Sequence, residues 1–473
     1  METNPSESEN QPKEQTPVEE LKVQELSEEG VAETTAVDSS QEETKDKQSS
    51  EDQKKMVLDL MEKVQAMGGD PKNPKNQAAL KEFQKYKTLY EKHEFWDTQP
   101  VPKVAGKMEE GEIEKGKLDE VREEPYGLPE GFTWSDVDLE NEEQLHEVYE
   151  LLRDHYVEDS DHMFRFDYQK EFLKWALLPP KQFSDWVCGV RGGKKNKLFG
   201  FITGIPVKLR IKGKMVKMTE INFLCVHKKI RKHRLAPVLI KEITRRTHQK
   251  NLWQAIYTAG IVIPTPVTEC TYYHRNLNTK KLLEIGFSSL PQGRPKSLHI
   301  KLLKVPNETT IEGIRPMEKR DVKQVQVLLD EYLQKFNLSF HFNKEEVSHF
   351  FLPRKNVIYS YVVVDPESNE ITDFISYYSL PSTIIGDEKY KTLYAAFCYY
   401  MVPKKHSIQE IMKNALILAR NDKFDVFNAL DIMDNRESFD DLHFGVGNGN
   451  LYYYLYNWKL DKIQSDKVGI VLV

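Results

Sequence analysis

The sequence predicts an α/β (α+β) protein made of two related halves, and three observations carry that reading. Residues 132–156 (FTWSDVDLENEEQLHEVYELLRDHY) and 313–333 (GIRPMEKRDVKQVQVLLDEYL) each run from a short strand into an amphipathic helix. Leu145, Val148 and Leu152 in one, and Val322, Val325 and Leu329 in the other, recur at helical spacing. Each half then supplies several strands and a helix that feeds a further strand, at 243–260 and 415–431. The same order at similar spacing points to duplication of one unit, although an unduplicated α/β chain also yields such pairs. Polar, Pro- and Gly-containing stretches at 288–296 and 304–313 mark the join.

Taken in order, residues 1–75 read as a disordered acidic tail, 76–305 as the N-terminal half and 306–473 as the C-terminal half. The first 50 residues hold 14 Asp and Glu against 4 Lys, and few aromatic side chains. Such a segment cannot bury enough surface to offset the entropy of ordering. A short helix fits Asp52–Gln65, and AALKEFQKYKTLYEK (78–92) looks helical, so ordered structure is expected to begin near HEFWDTQPVPK (93–103).

The whole chain carries −7 and residues 1–50 carry −10, which leaves +3 for the rest. A nearly balanced body lacks the basic face of a general nucleic-acid binder. Cys188, Cys225, Cys270 and Cys398 are far apart with no C-x-x-C pair, so neither a zinc site nor a disulfide framework is expected. The chain has no leader-like start and no apolar run of about 18 residues. These features predict a reduced, soluble protein of the cytosol with no integral membrane association.

The most informative stretch is EINFLCVHKKIRKHRLAPVLIKEI, Glu220 to Ile243. Glu220–Val226 is apolar enough for a buried strand, and Pro237 suits the first turn of a helix. Between them lies the basic run HKKIRKHR (227–234). A helix start offers unpaired N–H groups and the positive end of the dipole, so the segment suits a pyrophosphate or a nucleotide such as coenzyme A. It also fits a solvated turn. Cys225 and His227, two apart, would share a strand face and permit a Cys–His nucleophile.

EINFLCVHK (220–228) resembles the signature of the eukaryotic glycylpeptide N-tetradecanoyltransferase (N-myristoyltransferase) family. So do HEFWDTQPVPK (93–103), VEDSDHMFRFDY (157–168), YTAGIVIPTPV (257–267), YYHRNLN (272–278), FNALD (427–431) and FGVGNGNLYYYLYNWK (444–459). RKHRLA (231–236) likewise resembles the pyrophosphate loop of GNAT acyltransferases, with both of its glycines replaced. The resemblance implies two tandem GNAT-like halves in one continuous saddle-shaped sheet with flanking helices. It implies transfer of myristate from myristoyl-CoA, a co-substrate rather than a tightly bound cofactor, to the amine of an N-terminal glycine. No metal is implied.

Carried over residue by residue, it makes the main-chain amides of Phe223 and Leu224 an oxyanion hole. Preorganised donors of this kind contribute about 2.7–4 kcal/mol each. The CoA side would comprise Glu94, Phe95, Trp96, Phe223, Leu224, Cys225, Val226, Arg231, Lys232, Arg234, Leu235 and Ala236. The base would be the terminal carboxylate of Val473, with Asn222 and Thr258 beside the reacting amine. The apolar end VGIVLV (468–473) fits a buried terminus, and equally a final edge strand. Peptide contacts would be Tyr156, Asp159, Asp161, Phe164, Tyr168, Tyr272, His274, Phe287, Ser382, Gly447 and Asn448. The aromatics suit a pocket wall, and the two aspartates suit a basic residue after the glycine or simply a polar loop.

Two positions depart from the family pattern. Asn448 stands where Asp is usual in F-G-x-G-D-G, and Phe397 where Tyr is common; both changes are expected to shift peptide preference or weaken activity. The alternatives are an acetyltransferase, or a catalytically weak peptide-binding or ribosome-associated paralogue. Expected partners are myristoyl-CoA, N-terminal glycine peptides, nascent proteins and, through the tail, the ribosome. Nothing in the sequence demands a dimer.

Overall fold

The structure is a computed structural model that describes Lys85, Thr88, Leu89 and residues 92–103, 109–157 and 163–473. The acidic tail 1–75, the helix expected at Asp52–Gln65, most of the helix expected at 78–92, Asp159 and Asp161 lie outside the described residues. Lys85, Thr88 and Leu89 are helical.

Among the described residues, fourteen strands form one mixed sheet. The first half contributes β1 (Phe132–Asp136), β2 (Val187–Gly192), β3 (Lys197–Ile211), β4 (Lys214–Val226), β5 (Ala255–Ala259) and β6 (Thr268–Asn276). The second contributes β7 (Ile314–Pro316), β8 (Leu338–Phe340), β9 (Ile358–Val364) and β10 (Ile371–Ser379). It continues with β11 (Ala395–Val402), β12 (Val426–Leu430), β13 (Gly445–Tyr456) and β14 (Val468–Gly469). The principal helices are α1 (Glu142–His155), α2 (Lys170–Leu177), α3 (Leu235–Gln249), α4 (Val322–Leu333), α5 (Lys344–Phe351) and α6 (Ile408–Asn421).

The first half reads β1–α1–α2–β2–β3–β4–α3–β5–β6. The second repeats the order as β7–α4–α5–β9–β10–β11–α6–β12–β13, with β8 added between its two helices. In each, the long helix is a crossover between parallel strands, β4 to β5 and β11 to β12. The halves then exchange their last strands. β6 of the first pairs with β12 of the second, and β13 of the second pairs with β5 of the first. β13 and β6 also pair with each other, so the sheet runs unbroken through its centre in the order β5-β13-β6-β12.

Local chemistry sets the helix starts. Asn141 caps α1 by accepting from the N–H groups of Glu143 and Gln144, and Ser407 and Glu410 form a capping box on α6. α3 has no side-chain cap, and Arg234 precedes it in a left-handed conformation at φ +54°. Its Leu235, Leu239 and Ile243 pack against Trp186 and Ile202 on one face of the sheet, while α1 and α2 cover the other face. Both faces are therefore covered along 198–205 of β3 and 218–226 of β4, which explains the mainly apolar sequence there. At the far end of α3, Glu242 accepts from Arg245 and Arg246, and Arg246 reaches Asp136 at 2.5 Å. This paired network ties α3 to β1 and fixes where the uncapped end of the helix points.

Candidate active site

The centre of the site is a β-bulge. Phe201 pairs with Cys225, and Thr203 pairs with Asn222, so Phe223 and Leu224 both stand opposite Ile202. Phe223 takes up the extra residue at φ +55°, a conformation that L-residues with bulky side chains seldom adopt. A bulge removes the extra residue from the hydrogen-bond ladder and re-aims the local backbone. Thr203 Oγ1 holds the bulge by donating to the Asn222 carbonyl at 3.1 Å. The N–H of Phe223 faces the hydroxyl of Tyr156, where it opposes the upward push that burial gives that phenol.

Phe223 and Leu224 open onto a cavity of about 2790 Å³. One lobe lies between α3 and the sheet, lined by Ile202, Ile221, Leu224, Ile240 and Ile243 and closed by Thr247, His248 and Trp253. Burial lowers His248 to about 4, so its ring is neutral there. From Ala236 to His248 the lobe follows 12 residues of helix, about 18 Å at 1.5 Å per residue.

At the mouth of that lobe lie Val226, Arg231, Arg234 and Ala236. Residues 228–233 form a 3₁₀ turn, and α3 then starts with uncapped N–H groups. Arg231 is fixed by donating to the carbonyls of Val226 at 3.2 Å and His155 at 2.6 Å. Arg234 pairs with Glu94 at 2.5 Å, which holds the Glu94 carboxyl below its usual range. Glu94 therefore orients an arginine, and its own carboxylate is ill suited to meet a phosphate. Trp96 lines the cavity and stacks on Tyr257 at 5.9 Å. Glu94, Phe95, Lys232 and Leu235 are not in the wall, and Leu235 is buried in the α3 core.

The last residues of the chain enter from the other side. β14 pairs in parallel with β8. Beyond it, the carbonyl of Ile470 accepts from Tyr453 Oη at 2.9 Å, and the N–H of Val471 donates to Tyr400 Oη at 3.3 Å. Both tyrosines are buried, as are Ile470, Val471 and Leu472, and Leu472 and Val473 line the cavity. Asn222 and Thr258 are in the same wall, Thr258 beside Tyr453 on β13.

The second lobe has an aromatic wall. Tyr168 packs edge-on to Phe223 at 5.1 Å and tilted to Tyr156 at 5.7 Å. Phe287 lies edge-on to Phe164 at 5.6 Å and to His274 at 5.3 Å. Tyr272 meets Phe397, which stacks on Tyr378 at 5.4 Å. Ser382 sits opposite Phe166 in a small sheet that joins the halves. Gly447 and Asn448 belong to a second bulge, because the β13–β6 register jumps between Val446 and Asn450. All of these residues line the cavity. No group of three metal-ligating side chains occurs among the described residues.

A model of the myristoyl-CoA:protein N-myristoyltransferase N-terminal domain matches residues 112–270, and one of the C-terminal domain matches residues 284–471. The chain belongs to this family. Glycylpeptide N-tetradecanoyltransferase 1 of Arabidopsis thaliana is 47% identical over 400 residues, which cover 83% of this chain and 92% of that one. Glycylpeptide N-tetradecanoyltransferase 2 of Bos taurus is 50% identical over 382 residues, 80% of this chain and 76% of that one. A crystal structure of Saccharomyces cerevisiae N-myristoyltransferase with bound myristoyl-CoA superposes with a TM-score of 0.78 at 42% identity, covering 81% of this chain and all of that one.

The candidate site gathers two side chains that the sequence reading passed over. His155 lies 3.8 Å from His227, ring centre to ring centre, in the cavity mouth, and Glu220 accepts from Asn222 Nδ2 at 2.7 Å. The Glu220–Asn222 pair was signalled by a carboxyl two positions before a polar residue in the otherwise apolar stretch 220–226. Nothing local in the sequence signalled the His155 contact. The Cys–His pairing does not form: Cys225 Sγ points to the Leu151 carbonyl at 3.8 Å in the core, and burial pushes its thiol up to about 12. Cys225→Ala is expected to keep turnover within about tenfold, whereas loss of a covalent nucleophile removes many orders of magnitude. A near-complete loss of kcat in a folded Cys225→Ala protein would restore the acyl-enzyme route.

Proposed function

We propose that this chain transfers myristate from myristoyl-CoA to the amine of an N-terminal glycine by direct attack, without an acyl-enzyme. The observation that carries the reading is the meeting, in one cavity, of the Phe223–Leu224 bulge, the uncapped start of α3 and the chain end at Val473. In this reading residues 76–305 supply the acyl-CoA side. Residues 306–473 supply the carboxylate and, at Ser382, Gly447 and Asn448, part of the peptide groove, whose aromatic wall comes largely from Tyr156, Phe164, Tyr168, Tyr272 and Phe287 of the first half.

The CoA phosphates meet Arg231, Arg234 and the first N–H groups of α3 at Leu235 and Ala236. The thioester carbonyl faces the Phe223 and Leu224 amides, which stabilise the charge that develops on its oxygen. The acyl chain fills the apolar lobe along α3. The acceptor amine sits between Asn222, Thr258 and the Val473 carboxylate. A glycine ammonium has a pKa near 8, so it must lose a proton before attack, and a carboxylate within reach serves as base. The neutral amine attacks the thioester carbon, and the tetrahedral species collapses with the CoA thiolate as leaving group. The aromatic lobe holds the residues after the glycine, with Asn448 offering an amide where a carboxylate would select a lysine. Nascent chains in the cytosol are the acceptors this reading favours.

A Gly-x-x-x-Ser peptide incubated with myristoyl-CoA and this protein is expected to gain one myristoyl group at its amine by mass spectrometry. Acetyl-CoA is expected to compete weakly, since each buried methylene contributes about 0.8 kcal/mol. Equal transfer of acetyl and myristoyl groups would contradict the assignment of the apolar lobe.

A further inference from the structure

Glu220 is a buried carboxyl that the reaction above leaves without a task. It lies two residues before Asn222 on β4, on the same strand face. Asn222 Nδ2 donates to its Oε1 at 2.7 Å, and the residue is 4% exposed. Its cross-strand neighbours are apolar, Ile205 on β3 and Ile256 on β5. Among the described residues, no cationic group contributes to the shift of its carboxyl.

Glu220 lines a second, small cavity of about 20 Å³, separate from the large one. That volume suits a single water molecule. Val473 lines both cavities, so the chain end borders both the reaction space and the small cavity that Glu220 lines. The titratable groups facing this region are Tyr399 and Tyr400 of β11, Lys208 of β3, His341 after β8, Glu346 of α5 and the Val473 terminus. His341 and Glu346 are only half-buried and lead outward.

The stoichiometry needs such a route. Converting an ammonium to an amide removes two protons. One goes to the CoA thiolate, and the other must leave a site that both substrates fill. We propose that Glu220 takes this second proton from the Val473 carboxyl through the small cavity, while its contact with Asn222 aims the side-chain Oδ1 of Asn222 at the acceptor amine. The Val473 carboxylate is regenerated, Glu220 becomes the neutral acid, and the proton then passes to solvent past Glu346 or His341. Burial raises Glu220 to about 7, which lets it both accept and release a proton near neutrality. The proposal rests on the reading of Val473 as base.

Glu220→Gln separates the two roles, because a glutamine oxygen still accepts from Asn222 but carries no titrating proton. Its kcat is expected to fall at least about tenfold near neutral pH. The peptide KM should stay within about twofold. The rise of kcat through an ionisation near 7 should be lost, and Glu220→Asp should restore it in part. A Glu220→Gln protein with the parent kcat and pH profile overturns the relay. So does a fall in kcat that leaves the pH profile intact, since that is a positional effect alone. A chain lengthened beyond Val473 tells the two failures apart. If it is inactive while Glu220→Gln is normal, the base stands and only the relay fails; if it is active, the base reading is what fails. Should Glu220→Gln not fold, infrared spectroscopy of the unaltered protein decides. A buried carboxylic-acid band should disappear between about pH 6 and 8, and absence of any such change overturns the proposal.

Discussion

Adding one residue after Val473 is expected to lower kcat by about two to four orders of magnitude, the range supplied by a positioned general base, while leaving acyl-CoA affinity unchanged. Main-chain contacts hold the end of the chain. β14 is tied to β8, and the next two residues, Ile470 and Val471, are fixed by Tyr453 and Tyr400 through their main-chain atoms. Those contacts do not involve any residue added after Val473, so the frame should survive the extension. Only the carboxylate moves, by the length of one residue, about 3.3 Å in an extended chain. At that distance it no longer meets an amine seated by Asn222 and Thr258. Acyl-CoA contacts along α3 and at the Phe223–Leu224 bulge lie on another wall and should be unaffected. The check is a pair of measurements, turnover with a Gly-terminated peptide and direct binding of myristoyl-CoA. Unchanged turnover would remove the carboxylate from the mechanism, and lost acyl-CoA binding would mean that the extension disturbed the fold instead.

Much of this architecture was legible because its signals are local. The 3.6-residue spacing of Leu145, Val148 and Leu152 requires only one helix and one apolar face, and α1 is found there. The strand–basic loop–helix reading of 220–243 likewise needed only neighbours in sequence, and β4, the 3₁₀ turn and α3 follow in that order. The exchange of β6 and β13 between halves was not legible, since pairing Thr258 with Tyr453 is a long-range choice that no local pattern encodes. The bulge at Phe223 was hidden for the same reason. It appears only when β3 is laid beside β4 and one register step fails to match. β4 ends at Val226, and His227 already caps the 3₁₀ turn, so Cys225 and His227 do not share a strand face. Two-residue spacing alone put Cys225 with His227, whereas the folded strand turns it into the core. Glu94 shows the converse limit: resemblance implied its place near the loop, but its pairing with Arg234, 140 residues on, is a long-range contact that no local pattern encodes.

Gly447→Ala is expected to raise the peptide KM at least about tenfold, equivalent to about 1.4 kcal/mol, with little change in acyl-CoA binding. Gly447 does not need a left-handed backbone; the constraint is space. A Cβ there would stand 2.3 Å from His274 Nε2 and 2.7 Å from the Tyr272 carbonyl oxygen. The carbonyl belongs to β6, which is paired on both edges and cannot yield. The imidazole is held at its other nitrogen by Asn428 Oδ1 at 2.6 Å and at its edge by Phe287. Relief therefore comes either from lifting residues 447–449 into the groove or from breaking the His274–Asn428 contact. Both alter the wall on which the peptide is proposed to lie. Overpacking of this sort also costs about 1–3 kcal/mol of stability, so a fall in Tm should accompany the kinetic change. Gly449 supplies the internal control. Its Cβ would meet only Tyr272 Cδ2 at 3.7 Å, an ordinary contact, so Gly449→Ala should change KM little. Equal effects of the two substitutions would show that flexibility of the GNG bulge, rather than the clash with His274 and Tyr272, governs peptide binding.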